Sequence, residues 1–159
     1  MTLGVPLFVY EVMCAHAVAD YPYECCGYIT GTDEPETWVV HRCRNIQNEL
    51  HERNPVQFPR DARTAYVFSE EDMERLFYGA FSPPDAQVIG FYHSHPDHPA
   101  YFSEKDRMEA LTDWLDPEPV YIVLSVNEGT VRDSRAFQWI GDRQAFETLD
   151  LVINSGAVR

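Results

Sequence analysis

Residues 93–106 read HSHPDHPAYFSEKD and contain the side chains of this sequence best suited to bind a metal ion. They include the end of QVIGFYHSH, a largely apolar segment that predicts a β-strand, and residues two apart on a strand project from the same face. His93 and His95 are therefore expected to point the same way, and Ser94 to point away. Two imidazoles at this spacing can converge on one zinc ion at the usual Zn–N distance of about 2.0–2.1 Å.

Asp106 is the candidate for a third ligand. The seven residues 96–102 include two prolines and can fold back, which would place the start of the next helix over the end of the strand. A catalytic zinc site keeps three protein ligands and leaves one position open for water. His93, His95 and Asp106 would form such a site.

The same residues have a purely structural explanation. Ser103 followed three residues later by Asp106 is a variant of the capping box found at helix N-termini. His93 and His95 could be polar residues at a strand end, beside a loop that also contains His98. The two interpretations are compatible, because a residue held by a helix cap can also bind a metal. The complete pattern H-x-H-x7-S-x2-D after an apolar strand favours the metal site.

Composition and charge restrict the class of protein. The chain has 159 residues, of which 45% are hydrophobic and 13% aromatic, which fits one folded domain over residues 1–159. The formal net charge of −14 disfavours nucleic acid and anionic membranes as partners. The acidity fits either a solvated surface adapted to high salt, which we favour, or a basic partner.

The cysteines and the N-terminus indicate a cellular compartment. Four cysteines form no CxxC pair, and the adjacent Cys25 and Cys26 are interpreted as small core residues. The N-terminus lacks the features of a signal peptide, and no run of about 18 apolar residues occurs. We expect a soluble, cytoplasmic protein with reduced thiols.

The elements that must position these residues predict a mixed α/β fold. Their predicted order is helix–strand–strand–helix–strand–helix–strand–strand, and the third helix of this order is predicted over 103–115. Residues 45–64 are polar and interrupted by proline, which predicts a long loop. We expect the core to cover about residues 7–140, and the tail 141–159 to be helical and then frayed.

A second segment joins the histidine motif in a resemblance to the JAMM/MPN+ zinc metalloproteases. That family reads H-[ST]-H-x7-S-x2-D and carries an upstream glutamate on a strand after the first helix, in a context similar to HA…YP.E.CG…G. Residues 16–31, HAVADYPYECCGYITG, reproduce this context with Glu24 at the position of the glutamate. The resemblance covers about residues 7–140. It implies an MPN/JAMM-type domain with a curved mixed β-sheet flanked by helices and layered as in cytidine deaminases.

The resemblance implies a zinc-dependent hydrolase with one Zn²⁺ per chain, held by His93, His95 and Asp106. Such an ion lowers the pKa of its bound water toward about 7 and polarises the scissile carbonyl. Glu24 would be the general base, the alternative being an exposed carboxylate at a strand end. Ser103 would donate a hydrogen bond to the oxyanion, with the helix cap as its competing role.

The resemblance also implies a class of substrate. The family hydrolyses amide or isopeptide bonds, often beside the C-terminal Gly-Gly tail of ubiquitin or a ubiquitin-like protein. A small stand-alone chain resembles the prokaryotic branch, for which the implied partner is a ubiquitin-like sulfur-carrier protein. The loop 45–64 is a hypothetical element for gripping the substrate.

Three other functions stay open. A non-catalytic scaffold of the same fold is disfavoured because the ligands and the glutamate are all present. A structural zinc site is disfavoured because such sites normally have four Cys or His ligands. A metallopeptidase acting on another substrate class, such as a cell-wall or phage-associated one, is disfavoured only as an extracellular enzyme.

Overall fold

The computed structural model describes residues 1–112 and 118–155. The strands are β1 (Thr2–Pro6), β2 (Cys26–Gly31), β3 (Val39–Cys43), β4 (Gln87–Pro96), β5 (Val120–Asn127), β6 (Thr130–Ile140) and β7 (Ala145–Asn154). The helices are α1 (Leu7–Asp20), α2 (Gln47–Arg53), α3 (Glu70–Tyr78) and α4 (Glu104–Thr112), with a short 3-10 helix at Pro35–Thr37.

All seven strands belong to one sheet, in the order β1-β7-β6-β5-β4-β2-β3. The pairs β1–β7 and β4–β5 are parallel, and the other neighbours are antiparallel. The sheet is therefore mixed, which confirms the predicted α/β class. No helix within the described ranges is long and apolar enough to cross a membrane.

Both faces of the sheet are buried at its centre, as the sequence of β5 illustrates. Ile122, Leu124 and Val126 belong to one hydrophobic cluster, and Tyr121 and Val123 belong to another. Alternate residues of a strand point to opposite faces, so each cluster lies on one face. A near-continuous apolar strand is typical of a sheet covered on both sides.

The helices cover the two faces of the sheet. Val9, Met13 and Ala17 recur at every fourth residue of α1 and pack into the first cluster, so α1 covers that face. Leu76 of α3 and Ala110 of α4 pack into the second cluster on the opposite face. The predicted continuation of α4 over residues 113–115 lies outside the described residues.

The prediction of a helical C-terminal tail is wrong for the described residues, which form a strand. Residues 145–154 form β7, which lies between β6 and β1. Leu149, Leu151 and Ile153 pack on the α1 cluster and alternate with exposed residues, a period of two that fits a strand. The predicted fraying concerns residues 156–159, which lie outside the described residues.

The predicted loop 45–64 is also wrong in one part, since α2 lies within it. Residues 47–53 are mostly good helix formers without glycine or proline, but the helix buries only Gln47. A helix this short and exposed has no apolar periodicity to reveal it. The division of the chain into domains stays a prediction.

Gly27 of β2 lies where the packing of the sheet is tightest. A Cβ atom there would lie 2.5 Å from the carbonyl oxygen of His41 and 2.5 Å from the ring of Tyr92. The backbone oxygen cannot move without disturbing the pairing of β2 with β3. The absence of a side chain at this position therefore permits the strand spacing.

We expect Gly27→Ala to lower the free energy of unfolding by about 1–3 kcal/mol, the usual cost of overpacking. Chemical denaturation in the presence of a chelator measures this for the metal-free protein. Gly141→Ala is the control, because the nearest atom to its Cβ is 3.9 Å away. It should change stability by less than about 0.5 kcal/mol. Equal stability of the two variants would contradict this description of the packing.

Candidate metal centre

Three buried side chains meet at the end of β4. His93 Nε2 lies 3.1 Å from His95 Nε2, and Asp106 Oδ2 lies 3.2 Å from the first nitrogen and 3.5 Å from the second. Two ligands of a tetrahedral zinc with bonds of about 2.0–2.1 Å are about 3.3 Å apart. The three donor atoms thus have the separations that a shared zinc ion requires. Two imidazoles and a carboxylate are also a donor set that zinc accepts.

Alternation along β4 explains this convergence. His93 and His95 lie on the face covered by α4, and Ser94 points to the opposite face. Ser94 has a structural role: its Oγ accepts a hydrogen bond from the Cys25 N–H at 2.8 Å, and its own N–H donates to the Cys25 carbonyl. The ring of His93 stacks on Tyr66 at a centroid distance of 4.8 Å.

The hydrogen bond of His95 and the burial of His93 both suit metal binding. His95 Nδ1 lies 2.9 Å from the Pro99 carbonyl oxygen, which can only accept, so Nδ1 is the donor and Nε2 is the nitrogen that faces the other two side chains. Burial lowers the pKa of His93, although the Asp106 carboxylate opposes this. A neutral imidazole is the form that coordinates metals.

Asp106 is held by a helix cap and also faces the imidazoles. The Ser103 N–H donates to Asp106 Oδ2 at 3.0 Å, and the Asp106 N–H donates to Ser103 Oγ at 3.0 Å. This is a reciprocal capping box at the start of α4. Burial favours the protonated acid, but His93 and His95 outweigh it and hold the pKa of Asp106 well below its usual range. The carboxylate is therefore ionised, as a metal ligand must be.

The loop 96–102 folds back as predicted. Asp97 has a φ of 60°, a left-handed conformation that aspartate tolerates better than most residues. Its N–H donates to the Val126 carbonyl at 2.7 Å, which fixes the loop on the end of β5. The Tyr21 hydroxyl donates to the Asp97 carboxylate at 2.8 Å. The end of α1 and the loop after the histidines are thus joined directly.

Glu24 reaches the same site through the pairing of β2 with β4. Cys26 pairs with His93, and continuing this antiparallel register by two residues places Glu24 beside His95. The Glu24 side chain is buried, with 5% of its surface exposed, so it is not an exposed strand-end carboxylate. Burial and the charge of Asp106 raise its pKa well above the usual range. A raised pKa suits a carboxylate that accepts and passes on a proton.

Glu24, His95 and Asp106 line one cavity of about 110 Å³. Glu24 also lines a larger cavity of about 660 Å³, between the end of α1, β3 and α2. It is therefore common to the two cavities. The small cavity is lined by Glu24, Arg60, Thr64, His95, His98, Tyr101, Ser103 and Asp106.

Asn45 is a positioning residue that sequence reasoning missed. Its Nδ2 donates to the carbonyls of Glu24 at 2.9 Å and Ala65 at 3.1 Å, and its Oδ1 accepts from the N–H groups of Gln47 and Val67. One side chain thus links the segment just before β2, the start of α2 and residues 65–67. Nothing in the sequence distinguishes this asparagine from others in polar loops.

The adjacent cysteines Cys25 and Cys26 belong to the core, as the sequence predicts. Cys25 and Cys26 are fully buried, one in each hydrophobic cluster. Burial raises the pKa of Cys25 to about 12. A thiol with such a pKa is not a nucleophile at neutral pH.

Residues 7–140 match the family described as prokaryotic homologs of the JAB domain. The chain belongs to this family. The match covers most of the sequence, and it confirms the predicted resemblance to JAMM/MPN proteins of prokaryotic type.

Three curated relatives are similar to this JAB-domain chain. Desampylase of Haloferax volcanii is 30% identical over 127 residues, which cover 79% of this chain and 76% of that protein. CysO-cysteine peptidase of Mycobacterium tuberculosis is 26% identical over 145 residues, which cover 89% of this chain and 86% of the relative. Tail tip assembly protein K of Escherichia phage N15 is 30% identical over 122 residues, which cover 77% of this chain but 40% of the phage protein.

A solved structure supports the fold. A protein of Desulfitobacterium hafniense, determined in solution, superposes with a TM-score of 0.66 at 20% sequence identity. The superposition covers 98% of this chain and 95% of the other. The two proteins therefore share one fold over nearly the whole chain.

We expect the purified protein to bind about one zinc ion per chain, and His93→Ala or Asp106→Asn to abolish stoichiometric binding, because each variant leaves two ligands. Elemental analysis after dialysis measures the metal content. His98→Ala is the control, since His98 lines the cavity but is not in the ligand group. Loss of zinc from the His98 variant as well would show that the ligand set is wrong.

Proposed function

We propose that this JAB-domain protein is a zinc-dependent hydrolase that cleaves an amide bond at the C-terminal tail of a ubiquitin-like or sulfur-carrier protein. The observation that carries the proposal is a three-donor metal group, two of whose members line one cavity with a buried glutamate. The relatives named desampylase and CysO-cysteine peptidase support a substrate of this class.

His93, His95 and Asp106 would hold the zinc ion. When bound, zinc supplies Lewis acidity, which activates a water molecule and polarises the scissile carbonyl. The chain contributes three ligands whose positions are fixed before the metal arrives, by β4, by the Pro99 carbonyl and by the cap of α4. Hydrolysis adds OH to the acyl carbon and H to the amine nitrogen as the C–N bond breaks.

Glu24 would move the proton in this reaction. It takes a proton from the attacking water at its carboxylate and delivers it to the leaving amine. The buried position and the raised pKa of Glu24 favour the protonated intermediate state of this transfer. The Glu24 backbone is held at both ends, since its N–H donates to Ala62 and its carbonyl accepts from Asn45.

Ser103 would stabilise the developing oxyanion. Its Oγ accepts the Asp106 N–H in the helix cap, which uses one lone pair. A hydroxyl keeps its own O–H as a donor after such a bond. The same side chain can therefore cap α4 and donate into the cavity that it lines.

A second candidate function is a peptidase that acts on another class of substrate. The observation in its favour is the similarity to tail tip assembly protein K of a phage, although this chain spans less than half of that protein. The site would be the same, and only the substrate would differ. A non-catalytic scaffold is less well supported, because such a role requires neither the ligand group nor the buried glutamate.

We expect Glu24→Gln to keep the zinc ion and to lower kcat/KM by about 10²–10⁴-fold, the contribution of a general base. The assay incubates the zinc-loaded enzyme with ubiquitin-like carrier proteins that have C-terminal extensions, and mass spectrometry detects cleavage. Glu11→Gln, on the exposed side of α1, is the matched control and should be fully active. Undiminished activity of the Glu24 variant would refute its role. Cleavage of no carrier by the wild type would favour the other peptidase.

Ser103 and Ser69 allow capping to be separated from catalysis. Ser69 caps α3 in a similar way, accepting the Asp72 N–H at 3.2 Å, but lies outside the cavity. We expect Ser103→Ala and Ser69→Ala each to lower the free energy of unfolding by about 0.5–2 kcal/mol. Only Ser103→Ala should also lower kcat, by about 10²–10³-fold at full zinc occupancy. Equal kcat values for the two variants would leave Ser103 as a cap alone.

A further inference from the structure

We propose that Arg60 binds a free carboxylate on the leaving group, so that the enzyme selects amides whose leaving amine is an amino acid. The side-chain amine of a lysine in a protein would then be a poor leaving group. This inference rests on the proposed function, and it names the residue that selects the substrate on one side of the scissile bond.

Arg60 lines the small cavity together with the metal ligands His95 and Asp106 and the base Glu24. It is the only lining side chain with a permanent positive charge. A carboxylate is the group that a guanidinium binds best, because two parallel N–H donors match its two oxygens. The cavity thus contains a receptor for an anionic group within reach of the bond that would be cleaved.

The Arg60 guanidinium forms no ion pair within 4.0 Å in the described residues, although its charge favours the ionised form of Glu24. Its one hydrogen bond in those ranges is to the Thr64 carbonyl, at a long distance of 3.4 Å. By contrast, Arg63 pairs with Asp61 at 2.7 Å, and Arg44 pairs with Glu49. In a chain with 26 acidic and 12 basic residues, an arginine without an ion pair is available for an external anion.

The backbone that bears Arg60 is nevertheless fixed. The Gln47 side chain donates to the Arg60 carbonyl at 2.8 Å, and Asn48 accepts the Ala62 N–H at 2.8 Å. The Ala62 carbonyl in turn accepts the Glu24 N–H at 2.7 Å. Arg60 therefore has a long side chain on a backbone that is fastened beside the base, which lowers the ordering cost of binding.

The sizes of the two cavities indicate which one receives the carrier tail and which one receives the leaving amine. The tail of a folded carrier is long, and the cavity of about 660 Å³ that Glu24 also lines has room for it. The small cavity of about 110 Å³, lined by Glu24, His95 and Asp106, then receives the leaving amine. A single amino acid with its carboxylate on Arg60 suits this space. A lysine amine would bring a whole protein to the mouth of the small cavity and would offer no anion to Arg60.

Two probe peptides test the inference on the zinc-loaded full chain. One is a fluorescein-labelled peptide that ends in Gly-Gly-Ala with a free carboxylate, and the other is the same peptide as a carboxamide. We expect the wild type to prefer the carboxylate by about tenfold in kcat/KM, mainly through KM. Arg60→Ala should bring the ratio close to one, and Arg60→Lys should keep part of it. Arg53→Ala, an exposed arginine of α2 that does not line the cavity, should leave the ratio unchanged.

The outcomes separate this inference from the proposed function. If the wild type cleaves both peptides equally, or if Arg60→Ala slows both by the same factor, Arg60 does not select the substrate by its carboxylate. If neither peptide is cleaved, the proposed hydrolysis fails for these tails, and binding to the Glu24→Gln variant decides the inference. Fluorescence anisotropy should then show tighter binding of the carboxylate peptide, and this difference should disappear when Arg60→Ala is added. Equal binding of the two peptides would overturn the inference.

Discussion

The antiparallel pairing of β2 with β4 is the constraint on which the site depends. It sets Cys26 against His93 and thereby brings Glu24 to the side of His95, although the two residues are far apart in sequence. Ser94 and Cys25 lock this register with one backbone and one side-chain hydrogen bond. A slip by one residue would turn the alternate side chains to the other face and would separate the base from the metal group.

The two capped helices show why a local pattern is not enough to identify a ligand. Residues 69–72 read SEED and residues 103–106 read SEKD, and both begin a helix with a serine cap. The Asp72 carboxylate accepts the Arg44 N–H, whereas the Asp106 carboxylate faces two imidazoles. The difference lies in the neighbouring segment, which is Arg44 after β3 for Asp72 and the histidines of β4 for Asp106. The histidine pair upstream of the second motif is the only local sign of that difference.

The parts of this structure that the sequence predicts are those determined by short-range geometry. Strand alternation places His93 and His95 on one face, and a capping box accounts for the orientation of Asp106. The parts that it misses depend on distant partners. β7 is a strand because β6 and β1 lie on either side of it, and Asn45 matters because Glu24 and Ala65 approach it from separate segments.

The long connection after β3 contributes to the site through its contacts and its charge. Residues 44–63 contain four arginines and three acidic residues, so this segment is slightly net positive in a strongly acidic chain. The segment borders both cavities and supplies the hydrogen bonds that hold Glu24. An acidic surface repels anions, and a positive segment at the cavities attracts them locally. In the function proposed above, this local charge would favour an anionic leaving group at the cavity that Arg60 lines.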